Sequence, residues 1–272
     1  MLGPVHTTEE AIMNDTLVDL FGLDGRVAVV TGGNGGIGKG IARALARAGA
    51  DIVIAARNEA KTAAAVEEIA SESGVRVLGM KADVREEDQI HALMRNTVSE
   101  YGRLDILVSN AGMAIHKHPE EMTVAEWDDN IETNLRSFFV TSKAVYPVMK
   151  AAGHGKIISI GSMFAFFGCE ALPAYGASKG GIVQLTKSLA VAWAPDNIQV
   201  NSILPGFINT DLSADGKRDV PGMAEGVVAR TPAGRWGEPE DVAGTAIFLA
   251  GKASDFLTGA AIPVDGGFSV KG

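Results

Sequence analysis

Ten residues, TGGNGGIGKG, run from Thr31 to Gly40 and place five glycines within the seven positions 32–38. Glycine inside a helix costs about 1 kcal/mol relative to alanine. Such a run therefore marks a strained turn or a ligand pressed against the backbone. The apolar run VAVV precedes it and a segment of helical period follows, so the glycines fall at a strand-to-helix junction. A helix start offers unpaired N–H groups and a partial positive charge, which suit a pyrophosphate. Two registers fit: Gly33, Gly35 and Gly38 satisfy G-x-G-x-x-G, while Thr31, Gly32, Gly36 and Gly38 satisfy T-G-x-x-x-G-x-G. A tight β–α turn is the bland alternative, and only the flanking strand and helix tip the reading toward a nucleotide.

From Gly25 onward the alternation continues. Candidate strands are Val27–Val30, Ile52–Ala55, Val75–Met80, Leu104–Val108, Lys156–Ile160, Ile198–Ile203 and Ala261–Val264. Candidate helices are Gly36–Ala48, Glu59–Ser73, Glu86–Tyr101, Val124–Met149, Ala177–Ala194 and Pro239–Ala250. Strands separated by helices imply βαβ crossovers, hence a parallel sheet covered on both faces. The near-continuous apolar runs in RVAVVT, DILVSN and KIISIG suit strands buried on both sides. No linker or repeat interrupts the order, which predicts one domain over 24–272. Residues 1–23 stand outside the pattern as an extension. Thr7 or Thr8 there would cap a short docked helix with Ile12, Leu17, Leu20 and Phe21 on its apolar face.

Composition narrows the function. With 33 acidic against 24 basic residues and a net charge of −9, the chain lacks the basic clusters of a nucleic-acid binder. The single cysteine, Cys169, cannot form an internal disulfide, which fits a reducing compartment. No apolar run reaches membrane-spanning length and the start lacks a signal-peptide pattern, so a cytoplasmic protein without membrane partners is expected.

Further motifs extend the glycine loop into a resemblance. TGGNGGIG, then NAG at Asn110–Gly112, YGASK at Tyr175–Lys179, PGFINT at Pro205–Thr210 and VDGG at Val264–Gly267 resemble the short-chain dehydrogenase/reductase family, from Phe21 to Gly267. The resemblance implies an α/β, doubly wound Rossmann fold with a seven-stranded parallel sheet. It also implies a nicotinamide coenzyme, a carbonyl or secondary-alcohol substrate, and assembly as a homotetramer. The coenzyme-binding residues it implies are Gly32, Asn34, Gly35, Gly36, Ile37, Gly38, Asp83, Val84, Asn110, Ala111, Gly112, Tyr175, Lys179, Pro205, Gly206, Ile208 and Thr210. For Asp83 the bland alternative is a cap on the following helix.

The second strand ends IVIAARN, so the position about twenty residues beyond the glycines carries Ala56 rather than the acid that binds a ribose hydroxyl in NAD enzymes. Arg57 follows, and a guanidinium there can pair with a 2′-phosphate. These residues favour NADP(H) and leave NAD(H) open.

Y-x-x-x-K alone is common and usually structural. Here Ser162 lies thirteen residues before Tyr175, and Asn134 lies in NLRSFF of the preceding helix, which completes the family's catalytic tetrad of Asn134, Ser162, Tyr175 and Lys179. Tyr175 and Lys179 are four apart and share a helix face. A phenol titrates near 10, and a neighbouring ammonium favours its ionised form, so Lys179 is expected to acidify Tyr175. Ser162 would hold the substrate oxygen, and Asn134 would position a water that links Lys179 to solvent.

Substrate signals are thinner. RTPAGRWGEPEDVAGTAIFLAGKASDFLTGAAIPVDGG and SIGSMFAFFG resemble family members acting on sugar acids, the gluconate and deoxygluconate dehydrogenases, with similar wording in 3-oxoacyl-carrier-protein reductases and in glucose dehydrogenases. A broad ketone reductase is a further alternative. A substrate lid is expected near 207–235. Phe164, Phe166 and Phe167 would form an apolar wall, awkward for a sugar, and His116 or Lys117 would meet an anionic or polyhydroxylated substrate. His116 and His118 are spaced H-x-H without a third ligand nearby, so no metal site is expected. A reading of another class, a nucleotide-sensing scaffold on the same fold, would not require the tetrad.

Overall fold

The computed structural model describes the backbone of residues 8–271 and the side chains of 15–214, 216–218 and 220–271. Among the described residues seven strands form one all-parallel sheet: β1 (Val27–Thr31), β2 (Asp51–Ala56), β3 (Val77–Lys81), β4 (Ile106–Ser109), β5 (Gly155–Ile160), β6 (Ile198–Pro205) and β7 (Ala261–Val264), in the order β3-β2-β1-β4-β5-β6-β7. The chain reverses direction across the sheet between β1 and β4, and the C-terminal edge at that switch is where open α/β sheets bind ligands.

The strands bury both faces because their residues alternate between two apolar layers. Ala28 and Val30 of β1, Ile52 and Ile54 of β2, and Ile106 and Val108 of β4 join one core, with Ile41, Leu45, Val242 and Leu249 of the helices above. Val29, Val53 and Leu107 point the other way, into a second core with Ile90, Leu93, Phe138, Val145, Met149 and Ile182. Helices α2 (Gly36–Arg47), α3 (Glu59–Ser73) and α10 (Pro239–Ala250) contribute to the first layer. Helices α4 (Glu87–Tyr101), α6 (Ser137–Ala152) and α7 (Pro173–Trp193) cover the second. At the sheet's N-terminal edge Asp105, 1% exposed, accepts from the Val27 amide at 2.8 Å and from the Arg103 guanidinium at 2.7 and 2.8 Å, tying β4 to β1.

Two helices differ from expectation. The segment 124–149 is helical throughout but not regular: α5 (Val124–Ile131) runs through a π-helical stretch, Glu132–Arg136, into α6, which begins at Ser137. The wider turn carries Asn134, whose buried side chain is fixed from outside the helix, the setting in which π-bulges recur. Helix α7 begins at Pro173 rather than Ala177, since a proline in the first turn needs no N–H partner there. Tyr175 consequently lies inside the helix with Lys179.

Helix α1 (Thr8–Phe21) precedes the sheet, and a cap from Thr7 lies outside the described residues. Of the apolar face expected of it, Leu20 and Phe21 are half-buried, Leu17 is 51% exposed, and the side chain of Ile12 lies outside the described residues. Contact with the body is at its C-terminal end, where Asp19 pairs with Lys252 and Leu23 enters the core. Between β6 and β7 the chain forms α8 (Asp211–Asp219) and α9 (Met223–Arg230), followed by α10. No helix among the described residues is long and apolar enough to cross a membrane.

Candidate active site

A cavity of about 880 Å³ opens at the C-terminal edge of the sheet. One end is the glycine loop. Gly36 adopts φ +50, a left-handed conformation favourable only to glycine, and starts α2. Gly38 is buried beneath the loop, where a Cβ would lie 2.3 Å from Asn110 Nδ2 and 2.4 Å from the Gly32 carbonyl oxygen. The loop is braced from β4: Asn110 Nδ2 donates to the carbonyls of Thr31 and Gly32 at 3.0 and 3.2 Å, and Thr31 Oγ1 accepts from the amides of Asn110 and Ala111 at 3.0 and 3.1 Å. Asn34 Nδ2 donates to Thr62 Oγ1 at 3.0 Å, fastening the loop to α3. The result is a bare backbone cradle at a helix N-terminus, which fits a dinucleotide pyrophosphate. Gly38→Ala is expected to lower stability by about 1–3 kcal/mol through overpacking and to weaken dinucleotide binding by loosening the cradle; paired melting and titration curves check both.

Beside the loop, Arg57 at the end of β2 is exposed on the cavity rim, without a hydrogen-bond or ion-pair partner among the described residues. Across from it Asp83 and Val84 line the same wall. Asp83 does not cap α4, whose first turn follows Glu86. Its carboxylate instead accepts from the Arg85 amide at 3.0 Å and from the Arg85 guanidinium at 3.1 Å. Its pKa is lowered: burial works against ionisation, and these Arg85 hydrogen bonds outweigh it.

The other end of the cavity holds the expected reactive groups. Ser162 follows the end of β5 by two residues and is 6% exposed, its Oγ accepting from the Phe164 amide at 3.2 Å. Tyr175 and Lys179 project from one face of α7, with Lys179 Nζ 5.4 Å from the Tyr175 ring centre and donating to the Ile160 carbonyl at 2.8 Å. Asn134 stands behind this wall rather than in it. Its Oδ1 accepts from the Met113 amide at 2.8 Å, and its Nδ2 donates to the Met113 carbonyl at 2.9 Å and to Ser178 Oγ at 3.0 Å. Ser178 Oγ donates in turn to the Tyr175 carbonyl at 2.7 Å, so Asn134 locks the strand-end loop to the Tyr175 helix.

The electrostatics differ from the sequence expectation. Burial pushes the Tyr175 phenol above its ordinary 10, with a hydrogen bond to Ser162 pulling the other way. Burial also drives Lys179 from 10.5 down to about 8. Each group loses hydration for its charged form, and the ammonium spends a hydrogen bond on a backbone carbonyl. Acidification of Tyr175 by Lys179 therefore does not dominate, burial being the larger influence.

Most predicted residues meet here. Gly32, Asn34, Gly35, Gly36, Ile37, Ala111, Gly112, His116, Phe164, Pro205, Gly206, Ile208 and Thr210 all line the cavity with Ser162, Tyr175 and Lys179. Gly38 and Asn134 act from behind its wall. The aromatic wall is smaller than expected: Phe166 is 53% exposed, and Phe167 packs on Phe164 and Phe268 outside the lining. Lys117 is taken up by Glu126 at 2.5 Å, and His118 does not reach the cavity. No group of three metal-ligating side chains occurs among the described residues. Sequence reasoning missed Lys61, Glu170, Leu212 and Met223, which also line the cavity, and the brace at Ser178. Ser178 lies inside the YGASK motif and Leu212 and Met223 inside the expected lid, but no pattern singles these side chains out, and only the folded chain brings them to the site.

A family model described as Enoyl-(Acyl carrier protein) reductase matches residues 32–269. The chain is 42% identical over 253 residues to 2-dehydro-3-deoxy-D-gluconate 5-dehydrogenase of Escherichia coli, covering 93% of this chain and 98% of that one. It is 35% identical over 257 residues to gluconate 5-dehydrogenase of Gluconobacter oxydans, covering 93% and 98%. Among solved structures, a gluconate 5-dehydrogenase from Burkholderia cenocepacia in complex with NADP and tartrate superimposes with a TM-score of 0.88 at 39% identity, covering 93% of this chain and 98% of that one. With the glycine cradle and the Ser162–Tyr175–Lys179 wall facing one cavity, these matches show that the chain belongs to the short-chain dehydrogenase/reductase family of NAD(P)-dependent oxidoreductases.

Proposed function

We propose that the chain is an NADP(H)-dependent dehydrogenase that interconverts a secondary hydroxyl and a ketone on a gluconate-type sugar acid. The observation that carries the reading is the placement of Ser162, Tyr175 and Lys179 on one wall of the cavity whose far end is the glycine cradle. The bound nicotinamide would supply or accept the hydride. Gly32, Asn34, Gly35, Gly36 and Ile37 would hold the pyrophosphate, Arg57 a 2′-phosphate, and Asp83 and Val84 the adenine. The NAG turn at 110–112 and the 205–210 segment would hold the nicotinamide half.

The protein's own groups handle the proton. In reduction, Ser162 Oγ–H donates a hydrogen bond to the carbonyl oxygen, and Tyr175 transfers its phenolic proton to that oxygen as the alcohol forms. The raised pKa keeps Tyr175 protonated and ready to donate at neutral pH. The phenolate left behind is stabilised by the ammonium of Lys179, because opposite charges at this range attract strongly away from bulk water. Oxidation runs the same transfer backwards, with the tyrosine accepting the alcohol proton.

A sugar acid is supported by the relatives' activities and by His116, a polar group that lines the same cavity as Ser162. Retreat of Phe166 and Phe167 from the lining removes much of the expected apolar wall. The segment 207–235 would close over this end, since Leu212, Ser213, Val220 and Met223 line it. A homotetramer in the cytoplasm is consistent with the apolar side chains left exposed at Val124, Phe139, Val191 and Phe256 and with the free Cys169.

The test is a panel of keto and hydroxy sugar acids, 3-oxoacyl thioesters and hydrophobic ketones, assayed with both coenzymes. Turnover is expected with gluconate-type acids and NADP(H), and turnover confined to acyl thioesters or ketones would reject the substrate class. Arg57→Ala removes a charge-assisted contact of about 1.5–3 kcal/mol, so the Kd for NADPH should rise about 10- to 100-fold while that for NADH barely changes. An equal effect on both would defeat the 2′-phosphate role.

A further inference from the structure

The VDGG run at 264–267 lines no part of the cavity. It builds a turn. The Asp265 carboxylate accepts from the amides of Gly267 and Ser269, each at 2.9 Å. Gly266 and Gly267 take left-handed φ values of +62 and +86, which favour glycine. A Cβ on them would lie 2.8 Å from Thr231 Cγ2 and 3.0 Å from Pro232 Cγ, respectively. The Ala233 amide donates to the Gly266 carbonyl at 3.0 Å and fastens the turn to the linker before α10. So fixed, the turn delivers one large side chain into the molecule, Phe268, which is 5% exposed.

Phe268 joins a cluster of rings drawn from four segments. Its centroid lies 5.2 Å from that of Phe207, which follows β6, and 5.9 Å from that of Phe167, which follows β5. Phe207 also meets Trp236 at 5.2 Å. Phe207 and Phe167 both pack on Phe164, at 6.0 and 5.4 Å, with interplanar angles of 89° and 67°. Phe164 in turn meets Tyr175 edge-to-face at 6.2 Å and 77°, the one ring neighbour of Tyr175 among the described residues. Arg230 closes the outer side, its guanidinium carbon 4.3 Å from the Phe268 centroid and 5.2 Å from that of Phe167. Two routes therefore lead from Phe268 toward the phenol, and both converge on Phe164.

Phe164 needs that backing. It lies in a three-residue 3-10 helix, Met163–Ala165, and lines the cavity. Its amide is tied to Ser162 Oγ at 3.2 Å, but its ring packs on other rings. Edge-to-face pairs hold their geometry beyond what buried area alone supplies. Proton transfer is sensitive to such geometry, because a displacement of about 1 Å can cost about 10²-fold in rate. We infer that Phe268 is a positioning residue for the proton transfer, acting through Phe164 on the Tyr175 ring. The C-terminal turn then sets how the phenol is aimed at the substrate oxygen, although it lines no part of the site. The inference rests on Tyr175 as the proton donor and adds a support to that role.

The test uses the full chain and follows kcat, KM and NADPH binding together. Phe268→Leu keeps apolar bulk at the position and removes the ring contacts. Its kcat is expected to fall about 10-fold, with KM and the Kd of NADPH within about twofold of wild type. Phe164→Leu should lose at least as much. The double variant should fall no more than about twofold below Phe164→Leu alone, because a residue that acts through Phe164 then has nothing to act through. A merely structural role makes the two losses multiply. Phe167→Leu, half-buried and outside the cavity lining, should lower kcat about threefold with the same dependence on Phe164. It decides in place of Phe268→Leu if melting curves show that variant unfolded. Wild-type kcat in the deciding variant, losses that multiply, or a loss confined to KM would overturn the inference. Wild-type turnover in Tyr175→Phe would instead overturn the proton-transfer reading beneath it.

Discussion

Replacing Tyr175 with phenylalanine is expected to lower turnover by at least about 10³-fold, near the upper part of the range for losing a positioned proton donor. Binding of NADPH should remain within about twofold of wild type. The substitution deletes one oxygen and keeps the ring, whose edge-to-face contact with Phe164 at 6.2 Å and position 5.4 Å from Lys179 Nζ hold the α7 wall in place. The loss should therefore appear in kcat, with KM little changed, as for an interaction made chiefly in the transition state. Titration of coenzyme fluorescence beside steady-state kinetics separates the two. Wild-type turnover in the variant would remove the phenol from proton transfer and leave Ser162 and a water to supply it. A wild-type chain that binds coenzyme but turns over no substrate in the panel would return the non-catalytic scaffold to consideration.

Why the phenol, the ammonium, the cradle and the place of the overhang could be read from the sequence, and the particular side chains that complete the cavity could not, follows from how each is built. The strands are short β-branched runs whose residues face two apolar layers, so periodicity alone finds β1, β2 and β4 to within a residue or two. The cradle is local: its glycines are adjacent in sequence, and the strand and helix that flank it are among the strongest patterns in the chain. Tyr175 and Lys179 are one turn apart and share a face wherever a helix forms. Asn134 is different, because its orientation depends on a π-helical turn held by Met113 and Ser178, contacts made by distant segments. Residues such as Lys61 and Glu170 carry no signature at all, being common charged residues until the fold brings them to the cavity. The expected acidification of Tyr175 fails for a related reason. Spacing shows that an ammonium lies near a phenol, but burial of both, which works against either charge, belongs to the packed molecule.

That burial leads to a second large effect, on stability as well as on turnover. Lys179→Met should make the ligand-free protein more stable at pH 7 while removing nearly all activity. Lys179 is 5% exposed and has no carboxylate partner among the described residues, its hydrogen bond going to the Ile160 carbonyl at 2.8 Å. Its pKa of about 8 in the folded chain lies below the ordinary 10.5, a difference worth about 3 kcal/mol at 1.36 kcal/mol per decade. Methionine of similar length removes the buried charge, and leaving the Ile160 carbonyl unpaired returns about 1 kcal/mol or more of the gain. A net stabilisation of about 2 kcal/mol, or a rise in Tm of about 4–6 °C, is expected. The pH dependence has a definite sign. Below pH 8 the lysine is protonated whether the chain is folded or not, so the wild type carries the full penalty. Between pH 8 and 10.5 the unfolded chain binds a proton that the folded chain has released, so wild-type stability rises with pH and the advantage of the variant shrinks. Melting curves of both proteins from pH 6 to 10 measure this directly. A lower Tm for Lys179→Met at pH 7 would mean that the buried ammonium is a net support of the fold, and that its cost had been assigned to the wrong group.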